Sequence, residues 1–242
     1  AMTSCYGGVP GTGTLGRDRL PYLPIQVKLQ NGTSAEVDTF RETEHEAGRA
    51  LLNYEIEQGN SWPFDEPYDL PKFQGYFLSH SAFVVRSKEP GTDGLVLGAF
   101  YVKPNFPGRC GHICNGGFIT DPSQRGVGVG KVMAKCFLNI ARDLGYQASY
   151  FNLVFASNRI SVRMWRSLGF TELAVIPKAA KLKGIPGLVD AIQFYFDLAE
   201  GDIPPLPGRE HEATAPRRWF HVAFDSAILA TVVFAIISSR TQ

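Results

Sequence analysis

An excess of charge of one sign is missing. Lys and Arg total 24 against 23 Asp and Glu, a formal net charge of +1, so no overall basic footprint for nucleic acid exists. The highly charged, aromatic-poor composition that keeps chains unfolded is missing too. Charged residues make up 19% and aromatics 12%, which excludes disorder throughout. The first twenty residues are rich in Gly and Thr and contain no apolar stretch of the kind a secretion signal needs. Cysteine is sparse, at Cys5, Cys110, Cys114 and Cys136; reduced thiols in a cytoplasmic chain are therefore expected. No internal repeat is found. What is present, 242 residues of which 44% are hydrophobic, suits one globular domain with extensions.

Gly and Pro divide the chain. Residues 1–24 read as an irregular arm. Residues 25–198 read as the domain, and 199–242 as a Pro-rich linker with an apolar tail. Within the domain, alternation predicts a strand over Ile25–Leu29, closed by the Asn31-Gly32 turn. A helical pattern spans Val37–Glu57, with Phe40, Ala47, Leu51, Leu52, Tyr54 and Ile56 on its apolar side. A short helix over Lys72–Ser79 follows, then strands over Ala82–Arg86, Leu95–Val102 and His112–Thr120. The Gly116-Gly117 pair in the last of these suggests a bulge or a close backbone approach. Helices over Gly128–Leu144 and Arg159–Leu168, and strands over Ser149–Phe155, Phe170–Ile176 and Leu188–Leu198, complete the pattern. The fold class is α/β, with a mixed, mostly antiparallel sheet flanked by helices.

The strongest chemical signal is the strand-to-helix junction Gln124-Arg125-Gly126-Val127-Gly128-Val129-Gly130-Lys131. Glycines at alternate positions let the backbone bend and turn successive N–H groups one way. With the positive end of the following helix they form a phosphate site, to which Arg125 and Lys131 add charge. It is not a nucleoside-triphosphate loop: Val132 follows Lys131 where Ser or Thr would hold magnesium, and the glycine spacing differs. Gly11-Thr12-Gly13-Thr14-Leu15-Gly16 matches a dinucleotide fingerprint, but Pro10 precedes it where a strand is needed.

The segment Asp121–Gly130 resembles the acetyl-CoA loop of the GNAT superfamily of N-acetyltransferases, with its Gln/Arg-x-x-Gly-x-Gly/Ala signature. Asn158 and the Trp165-Arg166-Ser167-Leu168-Gly169-Phe170 ending are similar to the second half of that signature. Leu97–Asn105, Arg109–Phe118, Phe151–Phe155 and Val189–Ile192 further resemble the fungal N-acetyltransferases of azetidine-2-carboxylate and other proline analogues. The resemblance covers residues 25–198. It implies a GNAT-type fold, acetyl-CoA as co-substrate, a small-molecule amine or cyclic imino acid as acceptor, a detoxifying role and a homodimer. Phe118, Ile119 and Thr120 would then pair with the pantetheine amides, residues 125–131 would hold the pyrophosphate, and Asn158 would contact the pantetheine arm.

Direct attack of a neutral amine on the thioester needs a held donor, a stabilised oxyanion and removal of a proton. The resemblance puts the usual acid, a tyrosine, at position 165, where this chain has tryptophan; an indole is no practical acid. No carboxylate lies on His112–Thr120, so Asn115 and Asn152 are the expected polar groups of the catalytic centre, holding amine and carbonyl in attack geometry. His112 is a weaker candidate base. Cys110, His112 and Cys114 alternate along one strand and cannot easily surround a tetrahedral metal, so no metal is expected. Two alternatives remain open: acetylation of a peptide or protein, which a wide acidic groove would favour, and a non-catalytic acyl-CoA sensor. Phe64, Tyr76, Phe77 and Phe83 point instead to a closed aromatic pocket. Trp219–Ser239 is largely apolar but contains Asp225, and its run Ala227–Ile237 is only 11 residues long. A packed helix, or a segment exchanged with a partner subunit, accounts for it better than a membrane anchor.

Overall fold

The computed structural model describes residues 19–209; the glycine motif at 11–16 and the apolar tail lie outside the described residues. The strands are β1 (Ile25–Lys28), β2 (Ser34–Thr39), β3 (Ser81–Ser87), β4 (Val96–Pro104), β5 (Ile113–Thr120), β6 (Ala148–Phe155), β7 (Thr171–Ala180) and β8 (Val189–Asp197). The helices are α1 (His45–Gln58), α2 (Leu70–Phe77), α3 (Val129–Asp143) and α4 (Arg159–Ser167). The eight strands form one sheet in the order β1-β2-β3-β4-β5-β6-β8-β7. Only β5 and β6 run parallel; every other neighbouring pair is antiparallel. The mixed, mostly antiparallel α/β class holds.

Local chemistry sets the ends of the helices. Asp69 caps α2, its Oδ1 accepting the Lys72 N–H at 2.8 Å, with Pro71 in the first turn. Gly59, at φ 63°, closes α1 in the left-handed conformation. The buried stripe Met133, Ala134, Phe137, Ile140 and Ala141 has the spacing of a one-faced helix and fixes how α3 lies on the sheet. It joins Phe83, Phe100, Phe151 and Phe194 in one core. Leu20, Leu23 and Leu206, outside the 25–198 span, pack into that core as well. On the other face α1 and α2 bring Leu52, Ile56, Phe73 and Phe77 onto Ala99, Tyr101 and Ile119.

One expectation is corrected and one is narrowed. The helix expected over Val37–Glu57 is a strand followed by a helix. Gly32, at φ 89°, turns β1 back into β2, Val37 pairs with Ile25, and α1 begins only at His45. The pattern misled because Glu36 and Asp38, which look like solvent-facing charges, are buried against Arg86 of β3, 3.0 and 3.3 Å from its Nη1. The Gly116-Gly117 pair makes no bulge: β4 and β5 keep one register from Gly98↔Thr120 to Pro104↔Cys114. The glycines serve close packing. A Cβ on Gly116 would stand 2.6 Å from Phe137 of α3, and one on Gly117 2.5 Å from Tyr101 and 2.6 Å from Trp62.

Candidate active site

The parallel pair β5–β6 holds for two residues only, Ile113↔Ala148 and Cys114↔Ser149, and then parts. On β6 the register to β8 shifts between Phe151 and Val154, which bends the strand away. Ladder parity decides what the gap receives. Asn105 donates to the Ile113 carbonyl at 2.8 Å and Asp121 to the Leu97 carbonyl at 3.0 Å, so odd-numbered β5 residues spend their backbone groups on β4. Gly116, Phe118 and Thr120 therefore turn theirs into the gap. A continuous cavity of about 1080 Å³ opens there, running from the glycine loop past β5 and β6 to the loop after α1.

At one end is the loop between β5 and α3. Gly126 and Gly128 have φ of 83° and 97°, a region closed to most side chains, whereas Gly130 already lies in the first turn of α3. The loop is held from behind by the Gln30 N–H, which donates to the Val127 carbonyl at 3.0 Å. Arg125 forms an ion pair with Glu55 of α1, and Glu55 also accepts the Ser61 hydroxyl at 2.6 Å. Arg125, Gly126, Gly128, Val129, Gly130 and Lys131 all line the cavity. Asn158 lines it too and caps α4, its Oδ1 accepting the Ser161 N–H at 3.1 Å, which leaves Nδ2 to meet a ligand.

At the other end three amides meet where the strands part. Asn105 Oδ1 accepts Asn115 Nδ2 at 3.1 Å and Asn152 Nδ2 at 2.6 Å, while Asn115 Oδ1 accepts the gap-facing Gly116 N–H at 2.7 Å. Beside them Trp62, Phe64, Tyr76 and Tyr101 wall a chamber. The Asn53 side chain pins the loop carrying Trp62 and Phe64, donating to the Tyr68 carbonyl at 2.8 Å and accepting its N–H at 2.7 Å. The Tyr76 and Tyr101 hydroxyls are 2.8 Å apart. Burial, reinforced by Tyr101, pushes Tyr76 well above the usual phenol range. Burial also pushes Tyr101 up to about 12, against the hydrogen bond from Tyr76. Both stay protonated near neutral pH.

Asn115, Asn152, Phe118, Thr120, Asn158 and the loop residues are thus brought to one cavity. Ile119 and Val127 are not on its wall: Ile119 is 1% exposed in the α1/α2 core and its backbone is paired with β4. Trp165 lies 4.6 Å from Phe151 and 5.0 Å from Phe118, ring to ring, as part of the core. His112 is exposed at the head of β5, and Phe77 and Phe83 are wholly buried. Cys110 is exposed while Cys114 is buried, so the two thiols do not converge. Among the described residues no group of three or more His, Cys, Asp or Glu side chains could hold a metal ion. No helix among them is long and apolar enough to cross a membrane. Sequence reasoning missed Asn105, Lys103 and Glu55; the first two could have been found by counting alternate residues along β4 from Tyr101.

An open sheet parted beside a glycine-rich helix start is the architecture of an acyl-group transferase, and the comparisons agree. The model of the Acetyltransferase (GNAT) family matches residues 48–170. The N-acetyltransferase aca1 of Schizosaccharomyces pombe is 40% identical over 165 residues, covering 62% of this chain and 79% of that protein. A GCN5-related N-acetyltransferase from Kribbella flavida has a TM-score of 0.63 at 23% identity, covering 67% of this chain and 97% of that one. A GNAT superfamily phosphinothricin acetyltransferase from Sinorhizobium meliloti, solved in complex with acetyl-CoA, has a TM-score of 0.60 at 15% identity, covering 78% and 96%. The chain belongs to the Acetyltransferase (GNAT) family. It is an N-acetyltransferase, and acetyl-CoA is its co-substrate.

Proposed function

We propose that the acceptor is a small amine of the cyclic imino-acid type, azetidine-2-carboxylate or a proline analogue, and that the acetyl group passes to it directly in a ternary complex. The observation that carries this reading is the chamber of Trp62, Phe64, Tyr76 and Tyr101, which opens into the same cavity as the glycine loop. Aromatic walls suit a small apolar ring better than an extended peptide. The 40% identity to an N-acetyltransferase from a fission yeast supports transfer of the acetyl group to a nitrogen, the coarser part of this reading.

In this reading the loop N–H groups, Arg125 and Lys131 hold the pyrophosphate, Arg125 leaving Glu55 to do so. The gap-facing groups of Phe118 and Thr120 pair with the pantetheine amides, and Asn158 Nδ2 meets the same arm. Asn115 and Asn152 orient the acceptor beside the gap-facing backbone of Gly116, where the thioester would lie. Thiol release from acetyl-CoA, followed with a panel of imino acids, primary amines and peptides, tests the proposal. Release with cyclic imino acids is expected; release with peptides alone would overturn it. Replacing Asn115 with alanine is expected to lower kcat/KM by about 10²-fold, as loss of attack geometry does, with the unfolding transition little changed. Unaltered turnover would remove Asn115 from the reaction.

A further inference from the structure

The acceptor's proton has no carboxylate to go to at the amide cluster. The carboxylate on the cavity wall, Glu55, is engaged by Arg125 and Ser61 at the far end. A different basic group stands beside the cluster. Lys103 of β4 pairs in register with Asn115 of β5, so the two side chains leave the same face of the sheet. Its Nζ is 3.9 Å from the centre of the Tyr76 ring and 4.1 Å from that of Tyr101, the two rings that wall the acceptor chamber.

We infer that Lys103 is the base that takes the proton from the acceptor amine. The inference rests on the acceptor chamber assigned above. In the reaction the amine lone pair attacks the thioester carbonyl and the C–S bond breaks. Coenzyme A leaves as thiolate, and the proton lost by the amine moves to Lys103 Nζ. From there it returns to the thiolate or to solvent, so no other reactant is needed.

The surroundings keep Lys103 able to accept that proton. Tyr76 from α2 and Tyr101 from its own strand face it, and both hold their protons at neutral pH. Asn115 across the ladder, Asn105 bonded to it and Asn152 bonded in turn to Asn105 are all uncharged. His80 precedes Ser81, the register partner of Val102, and so stands beside Lys103 on the β3 side. The neighbouring cation Lys72 lies over a different ring, 4.1 Å from the centre of Tyr68. No carboxylate among the described residues forms an ion pair with Lys103. With no carboxylate to hold its charge, burial pushes Lys103 down to about 7. The rival role is structural, a cation resting on two rings to hold α2 against β4.

Two variants separate the roles. Lys103→Met keeps the length of the side chain without an amine. Lys103→Arg keeps a cation over the rings but cannot give up its proton in a protein. If Lys103 is the base, both lose about 10²- to 10⁴-fold in kcat/KM, with acetyl-CoA affinity within twofold of the parent. The wild-type plot of log kcat/KM against pH gains one unit of slope below pH 7, because the amine must be neutral to act, and both variants lack that break. NMR of chain labelled at lysine Cε gives a readout independent of turnover: one lysine signal titrating near pH 7, absent from Lys103→Met. Activity retained in Lys103→Arg, a break that survives in Lys103→Met, or a Lys103 signal that stays protonated to pH 9 overturns the inference. The profile is run with whichever acceptor releases thiol, so a wrong acceptor class and a wrong base give different results.

Discussion

Replacing Arg86 with methionine should destabilise the protein by about 3–5 kcal/mol, the usual cost of stripping one partner from a buried charge cluster. Arg86 is 0% exposed. Its guanidinium donates to Glu44 at 2.6 and 2.8 Å, to Glu36 at 3.0 Å, to Asp38 at 3.3 Å and to the Thr39 carbonyl at 2.8 Å. One side chain of β3 thereby ties down β2 and the segment entering α1. Without it three carboxylates stay buried, and Glu36 keeps Arg41 at 3.5 Å. Urea unfolding at neutral pH measures the loss; a midpoint within experimental error of the parent would show that the cluster adds nothing.

The pH dependence should differ in sign as well. Burial opposes ionisation of Glu36, but hydrogen bonds from Arg86 and Gln26 outweigh it and hold its carboxyl below the usual range. In the parent that contribution is fully present above about pH 4.3, the unfolded value. It is lost as pH falls through the lower folded value. In the variant burial acts with less opposition, the folded value moves up, and acidification should recover part of the lost stability. Unfolding curves between pH 3 and 7 distinguish the two slopes.

The second large effect is expected at the loop. Gly128 sits at φ 97°, and a Cβ there would lie 3.0 Å from Gln30 Cγ. Left-handed backbone costs an ordinary residue about 1–2 kcal/mol, and a β-branched one is a genuine outlier there. Gly128→Val should therefore move the loop, not merely strain it, and weaken acetyl-CoA binding by about tenfold or more, read by calorimetry. Gly126→Ala meets the same backbone restriction, but nothing lies within 4 Å of the added carbon, so a smaller loss is expected. Wild-type affinity in Gly128→Val would detach the loop from donor binding.

What the sequence revealed, and what it hid, follows from how far each signal travels along the chain. The loop and the helix closings at Gly59 and Gly169 are local chemistry, readable in a few residues. Strand β2 was hidden because the acidic residues at 36 and 38 make sense in a buried strand only with Arg86, some fifty positions away. The resemblance implies a donor role for the whole run 118–120, but which backbone groups turn which way depends on pairing with β4, and that turns Ile119 away. Nothing in the sequence near Lys103 marks it, because its surroundings are set by Tyr76 of α2, which packs over it. Asn105 lay unremarked for the same reason, since its partners come from β5 and β6.

The separation of β5 from β6 after two residues has a consequence for selectivity. An unpaired strand edge ordinarily invites any extended polypeptide to add itself. Here the unpaired edge is interior, lined by Trp165 and Phe151 and approached past the loop that carries Trp62. In the donor arrangement proposed above, pantetheine, a slender chain bearing amides of its own, would complete the ladder there as a next strand.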